Sequence, residues 1–162
     1  MEAKIEAVQL RWQEECNIIV GQAHFIKTAE DLAEIVAGGV PGALFGLAFC
    51  EASGPCLIRT EGNDQELVRD AVGCAQAVGA GHTFYLVLKK AFPINLLNQI
   101  KECQEVTHVF AATANPLQVL VAETPQGRGI VGVVDGSSPA GVETDEDRAS
   151  RRALLRRFGY KF

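Results

Sequence analysis

A chain of 162 residues with a net charge of −5, 48% apolar and 22% charged, reads as one domain. Such a length buries roughly 70% of the unfolded chain's surface without a metal or disulfide staple. The acidic balance argues against phosphate-backbone binding as the main task, and no apolar run approaches the ~20 residues of a membrane span. Five cysteines (Cys16, Cys50, Cys56, Cys74, Cys103) without a CxxC pair read as reduced thiols. Together with a start, "MEAKIEAVQL", that lacks a signal-peptide pattern, they point to the cytoplasm.

The first strand candidate is "NIIVG", which runs into "GQAHFIKT" (Gly21–Thr28). The context and the Gly…Lys-Thr spacing are those of a P-loop, but Ile26 stands where the second glycine is needed. A β-branched residue resists the positive φ and the close phosphate approach that such a loop requires. What remains is either a looser anion site at Lys27 and the helix start at Thr28, or an N-cap threonine beside a solvated lysine.

"TAED" (Thr28–Asp31) opens a helix with Leu32, Ile35 and Val36 on one face, ending at "GGVP". "ALFGLAFC" (Ala43–Cys50) is apolar throughout, as in a strand covered on both faces, and it leads into a polar loop with Glu51 and Ser53. Cys50 and Cys56 could meet across that loop, but they lack metal-ligand spacing. "NDQE" (Asn63–Glu66) starts a second helix, with Leu67, Ala71, Cys74 and Val78 on one face, that stops near Gly79.

"GAGHTF" then sets His82 at the head of the buried strand "TFYLVL". Its likeness to the "GAGD" of ribokinase-type enzymes is set aside, because histidine replaces the aspartate and the chain is too short. His82 is either a reactive imidazole at a strand end, where α/β sheets place ligands, or a core histidine bonded to a carbonyl.

A short helix over Ile94–Glu102 precedes "THVFAA", whose His108 reads as structural or surface, and "ATANP", a polar turn carrying Thr113 and Asn115. "QVLVAE" and "GIVGVV" flank "TPQGR" as a hairpin, so "GRGIVG", a GxGxxG by letter, falls in a strand and not before a helix. "TDED" (Thr144–Asp147) begins a last helix that ends "RRALLRR", charge-matched to its dipole. Helices alternating with buried strands give an α/β layered domain over residues 1–162, with one mixed sheet covered by helices. No Ser/His/Asp arrangement, HExxH helix or paired Cys/His cluster occurs, and no metal ligand is assigned.

Taken together, "GQAHFIKTAEDL", "FGLAFCEASG", "IRTEGND", "GAGHTF", "AFPINLLNQIK", "FAATANPLQVLVAET", "GRGIVGVVDG" and "GVETDED" resemble the adenosine-specific kinase family over nearly the whole chain. The resemblance implies a compact α/β fold, a homotrimer, binding of adenosine or AMP rather than ADP or ATP, and a phosphorylated histidine. On this chain that histidine is His82, with His24 as its rival. Lys27 and Arg128 would neutralise phosphate oxygens. Glu51, Thr113, Asn115 and Asp135 would contact base and ribose, and Thr28, Ser53 and Gly81 complete the expected binding set. Mg²⁺ is compatible but not indicated, and the phosphate donor is not named. Two other functions compete: a non-catalytic adenosine or AMP sensor, and an interaction protein using the arginine-rich tail.

Overall fold

The apolar runs assemble into two antiparallel sheets in the computed structural model, which describes residues 2–162. The five-stranded sheet has the order β4 (Ile58–Gly62), β3 (Leu44–Cys50), β5 (Thr83–Lys89), β2 (Asn17–Ala23), β6 (Val106–Thr113). The three-stranded sheet runs β1 (Lys4–Gln9), β7 (Leu117–Thr124), β8 (Gly127–Asp135). Helices α1 (Thr28–Gly39), α2 (Gln65–Val78), α3 (Leu97–Glu102) and α4 (Asp145–Arg157) complete the chain.

The α/β class stands, but the single mixed sheet does not. Helices between strands suggested crossovers to parallel neighbours. Here α1 joins β2 to β3 and α2 joins β4 to β5, and each crossover skips one strand. β5 fills the first gap and β3 the second, antiparallel to both flanking strands. This is a split βαβ arrangement, used twice.

Period-2 side-chain alternation sorts the five-stranded sheet into two cores. On one face Ile19, Phe45, Leu47, Phe49, Phe84, Leu86 and Leu88 pack against Leu32 and Val36 of α1 and against Ile100. On the other, Ile18, Val20, Tyr85 and Val87 meet α2 through Leu67, Ala71, Cys74 and Val78. Val119 and Val121 of β7 join that second core, which fixes the three-stranded sheet beside α2. α2 lies so close to β3 that a Cβ on Gly46 would come within 2.1 Å of the backbone of Leu67 and Val68.

Two of the three expected caps need correction. Thr28 is the first helical residue, and its buried hydroxyl donates back to the Phe25 carbonyl at 2.6 Å instead of capping. In "NDQE" the cap is Asp64, which accepts from the N–H groups of Glu66 and Leu67. Asn63 instead ties the turn to β3 through Phe45 N and Ala43 O. The "TDED" capping box forms as expected, between Thr144 and Asp147. The hairpin also forms, with "GRGIVG" inside β8. All five cysteines are free thiols. No helix among the described residues is long and apolar enough to cross a membrane.

Candidate functional site

The ends of three central strands converge at one edge of the five-stranded sheet. There β3 ends at Cys50, β5 begins after His82, and β2 ends before His24. Their loops enclose a cavity of about 230 Å³ lined by His24, Phe25, Ile26, Phe49, Glu51, Ala52, Ser53 and His82. Four of the expected residues therefore share one site.

His82 is the most constrained of them. Gly79, left-handed at φ 64°, closes α2 as its C-cap, and His82 is itself left-handed at φ 59°. A non-glycine residue pays about 1–2 kcal/mol there and persists only where its surroundings over-determine it. Two hydrogen bonds do so: its N–H donates to Cys50 O at 2.7 Å, and its carbonyl accepts from Ala23 N at 2.8 Å. The imidazole, half-buried, stacks on Phe49 with ring centroids 6.0 Å apart and planes 23° apart. Gly81 fits tightly beside it, since a Cβ there would come within 2.9 Å of the Ala52 side chain.

His24 is exposed, its ring stacked beside Phe25 and its N–H donating to Glu105 O at 3.0 Å. Ser53 offers a hydroxyl at the rim. Glu51 is less free. It accepts from Leu57 N at 2.8 Å and from the Arg59 guanidinium at 2.8 and 2.9 Å. These bonds, the backbone one first, hold its carboxyl below the usual glutamate range. It braces the β3–β4 loop, so the one carboxylate of this cavity is already taken and Mg²⁺ finds no free acid there.

The remaining expected residues lie elsewhere. Lys27 is exposed, and its ammonium bonds Asp31 and stands 3.8 Å from Glu105. The N–H groups of Thr28 and Ala29 are committed to Phe25 O and Ile26 O, so the loop presents no nest of free donors as a P-loop does. Arg128 pairs with Glu6 and, at 3.9 Å, with Glu123. Thr113, Asn115 and Asp135 bond one another: Thr113 Oγ1 donates to Asp135 at 2.8 Å and Asn115 Nδ2 to the same oxygen at 3.2 Å. In register Thr113 pairs with Ile18 while Val106 pairs with Ala23. That puts the trio about 17 Å along the sheet from the histidines, at ~3.3 Å per residue. His108 lies exposed on the outer strand β6.

Reading along the chain misses Phe25, Ile26 and Phe49 as cavity walls. The available signal was position, since each sits within two residues of a site residue at a strand end. The missed Glu105, far from His24 in sequence, gave no local signal at all.

These features define a small α/β protein that holds two histidines in a phenylalanine-walled cavity at the ends of its central strands. Residues 8–161 match the family model described as adenosine specific kinase, and the chain belongs to that family. It is also 43% identical to the PH1918 protein from Pyrococcus horikoshii OT3 over 99% of each chain, with a TM-score of 0.95 between the structures. No functionally curated protein matches it.

Proposed function

We propose that the protein binds adenosine or AMP at this cavity and transfers a phosphoryl group through His82. The observation that carries the reading is the backbone of His82, held left-handed by hydrogen bonds from two strands so that its imidazole opens into the cavity. Strain of this kind is retained where a side chain must be aimed.

In the first half-reaction a ring nitrogen of His82 attacks the phosphorus of a phosphoanhydride donor. The N–P bond forms as the P–O bond breaks, and the electron pair leaves on the donor oxygen. In the second, a ribose hydroxyl of adenosine attacks the same phosphorus, the N–P bond breaks, and AMP forms. In this reading His24, which also lines the cavity, accepts the hydroxyl proton. Phe25 and Ile26 supply apolar surface for the purine and Ser53 a hydrogen bond, while Phe49, 1% exposed, backs the His82 ring. At about 230 Å³ the cavity is smaller than the roughly 300–1,000 Å³ that encloses a drug-sized ligand, so part of the nucleoside projects beyond it. Lys27, exposed on the loop after His24, reaches a phosphate by exchanging its bond to Asp31, while Arg128 is held by Glu6 and Glu123.

The protein acts as a homotrimer in this reading. Supporting it, α4 buries none of its residues within the chain, and a 13-residue helix without packing is marginal in water.

Radiolabelled ATP and small phosphoramidate donors, followed by an adenosine chase, test the proposal. Acid-labile label that appears on the protein and moves to AMP supports it. Label that stays on the protein favours the sensor function, and full labelling of His82→Asn would overturn the assignment of the histidine.

A further inference from the structure

A second cluster lies behind the His24 loop and takes no part in the chemistry above. Asp31 on α1, Cys103 after α3 and Glu105 before β6 present two oxygens and a sulfur within 4.8 Å of one another. They border a cavity of about 590 Å³ whose walls add Glu34 and Glu102. The acids outnumber the one lysine that reaches them, Lys27.

Glu105 is the informative member. Its side chain is only 2% exposed, yet its Oε1 is buried without a hydrogen-bond partner. The Lys27 ammonium stands 3.8 Å from that oxygen and is bonded instead to Asp31. The other oxygen, Oε2, accepts from the Cys103 thiol at 3.0 Å. A buried carboxylate is ordinarily paired with a cation or bound to a metal, because desolvation without compensation is costly. Here Oε1 has only the Lys27 ammonium, at 3.8 Å and outside hydrogen-bond reach.

We propose that Asp31, Cys103 and Glu105 form a divalent-cation site, with zinc as its preferred occupant. Mixed carboxylate and thiolate donors suit zinc, while magnesium and calcium favour oxygen alone. A tetrahedral zinc asks for donor separations of roughly 3.4 Å, within reach of side-chain rotation from the present spacing. Three protein ligands leave a fourth position for water. On binding, the Sγ–H proton goes to solvent, an Sγ–Zn bond forms, and both carboxylates close on the cation, which displaces the Lys27 ammonium. The site adjoins the histidine cavity, since the Glu105 carbonyl accepts from His24 N and Lys27 follows the cavity wall Ile26.

Cobalt(II), titrated into the full chain under reducing conditions, is the probe. One equivalent is expected to raise a sulfur-to-cobalt charge-transfer band with tetrahedral visible absorption, and equimolar zinc to abolish both. Cys103→Ser and Glu105→Gln, checked for native circular dichroism, are expected to lose the band. Lys27→Met, which removes the competing ammonium, is expected to bind cobalt several-fold more tightly. Absence of the band in the parent chain, its survival in Cys103→Ser, or unchanged affinity in Lys27→Met overturns the site.

Discussion

The positive φ of His82 separates its backbone role from its chemical one. Glycine occupies the left-handed region freely and alanine does not. His82→Gly is therefore expected to be about 1 kcal/mol more stable to urea than His82→Ala, although both lose the imidazole on which the proposed function rests. Equal stabilities would show that the left-handed turn carries no strain. Glu51 allows a second test. Its folded pKa is depressed, so its contribution is complete above the ordinary glutamate value of about 4.3 and is lost as pH falls through the lower folded value. The stability gap between the parent and Glu51→Gln should be constant above about pH 5 and shrink below about pH 4. Parallel urea midpoints across that range would remove Glu51 from the brace. At this scale the histidines were legible, because glycine-rich strand ends announce themselves. The bonding of Glu51 and Lys27 was not, since a charged letter does not say which partner occupies it.

Among the elements, β3 and α2 set the tightest tolerance. Gly46→Ala forces backbone against backbone, and an over-packed contact of this kind costs about 3 kcal/mol. Gly73, on the exposed face of the same helix, should behave oppositely, because a Cβ added there would meet nothing within 4 Å. Gly73→Ala is expected to stabilise by about 0.5–1 kcal/mol through helix propensity. Chemical denaturation of the pair checks both, and a stabilising Gly46→Ala would contradict the packing. The buried strands were readable from their apolar runs. β1 and β4 were not, because "KIEAVQ" and "IRTEG" are edge strands with no fully buried residue and little apolar pattern. Strand order was equally hidden: periodicity reports which face is buried and carries no record of which strand is the neighbour.

For the whole molecule, α4 is the element without a place. Leu154, Phe158 and Tyr160 are 40%, 60% and 47% exposed, an apolar strip amid arginines on and just after a helix that buries no residue. If copies of the chain pack through it, sedimentation should give a trimer for the parent, and Leu154→Glu with Phe158→Glu should shift the population toward monomer. A monomeric parent chain would remove the trimer from the proposed function. The separation of Thr113, Asn115 and Asp135 from the histidines also belongs to this scale. Each group lies in a polar strand-end loop, as the sequence suggested, but the loops divide between opposite ends of the sheet, and loop composition does not say which end.

The insertion of β5 between β2 and β3 carries a kinetic consequence. His24 and His82 become neighbours only after a late strand threads between two earlier ones, a pairing across long stretches of chain that is entropically slow to nucleate. No amino-terminal fragment that ends before β5, and no intermediate with only local helices formed, contains the cavity. If adenosine binds at this cavity as proposed, its affinity should therefore be acquired during refolding no earlier than the docking of β5, which would make a bound nucleoside a reporter of that step.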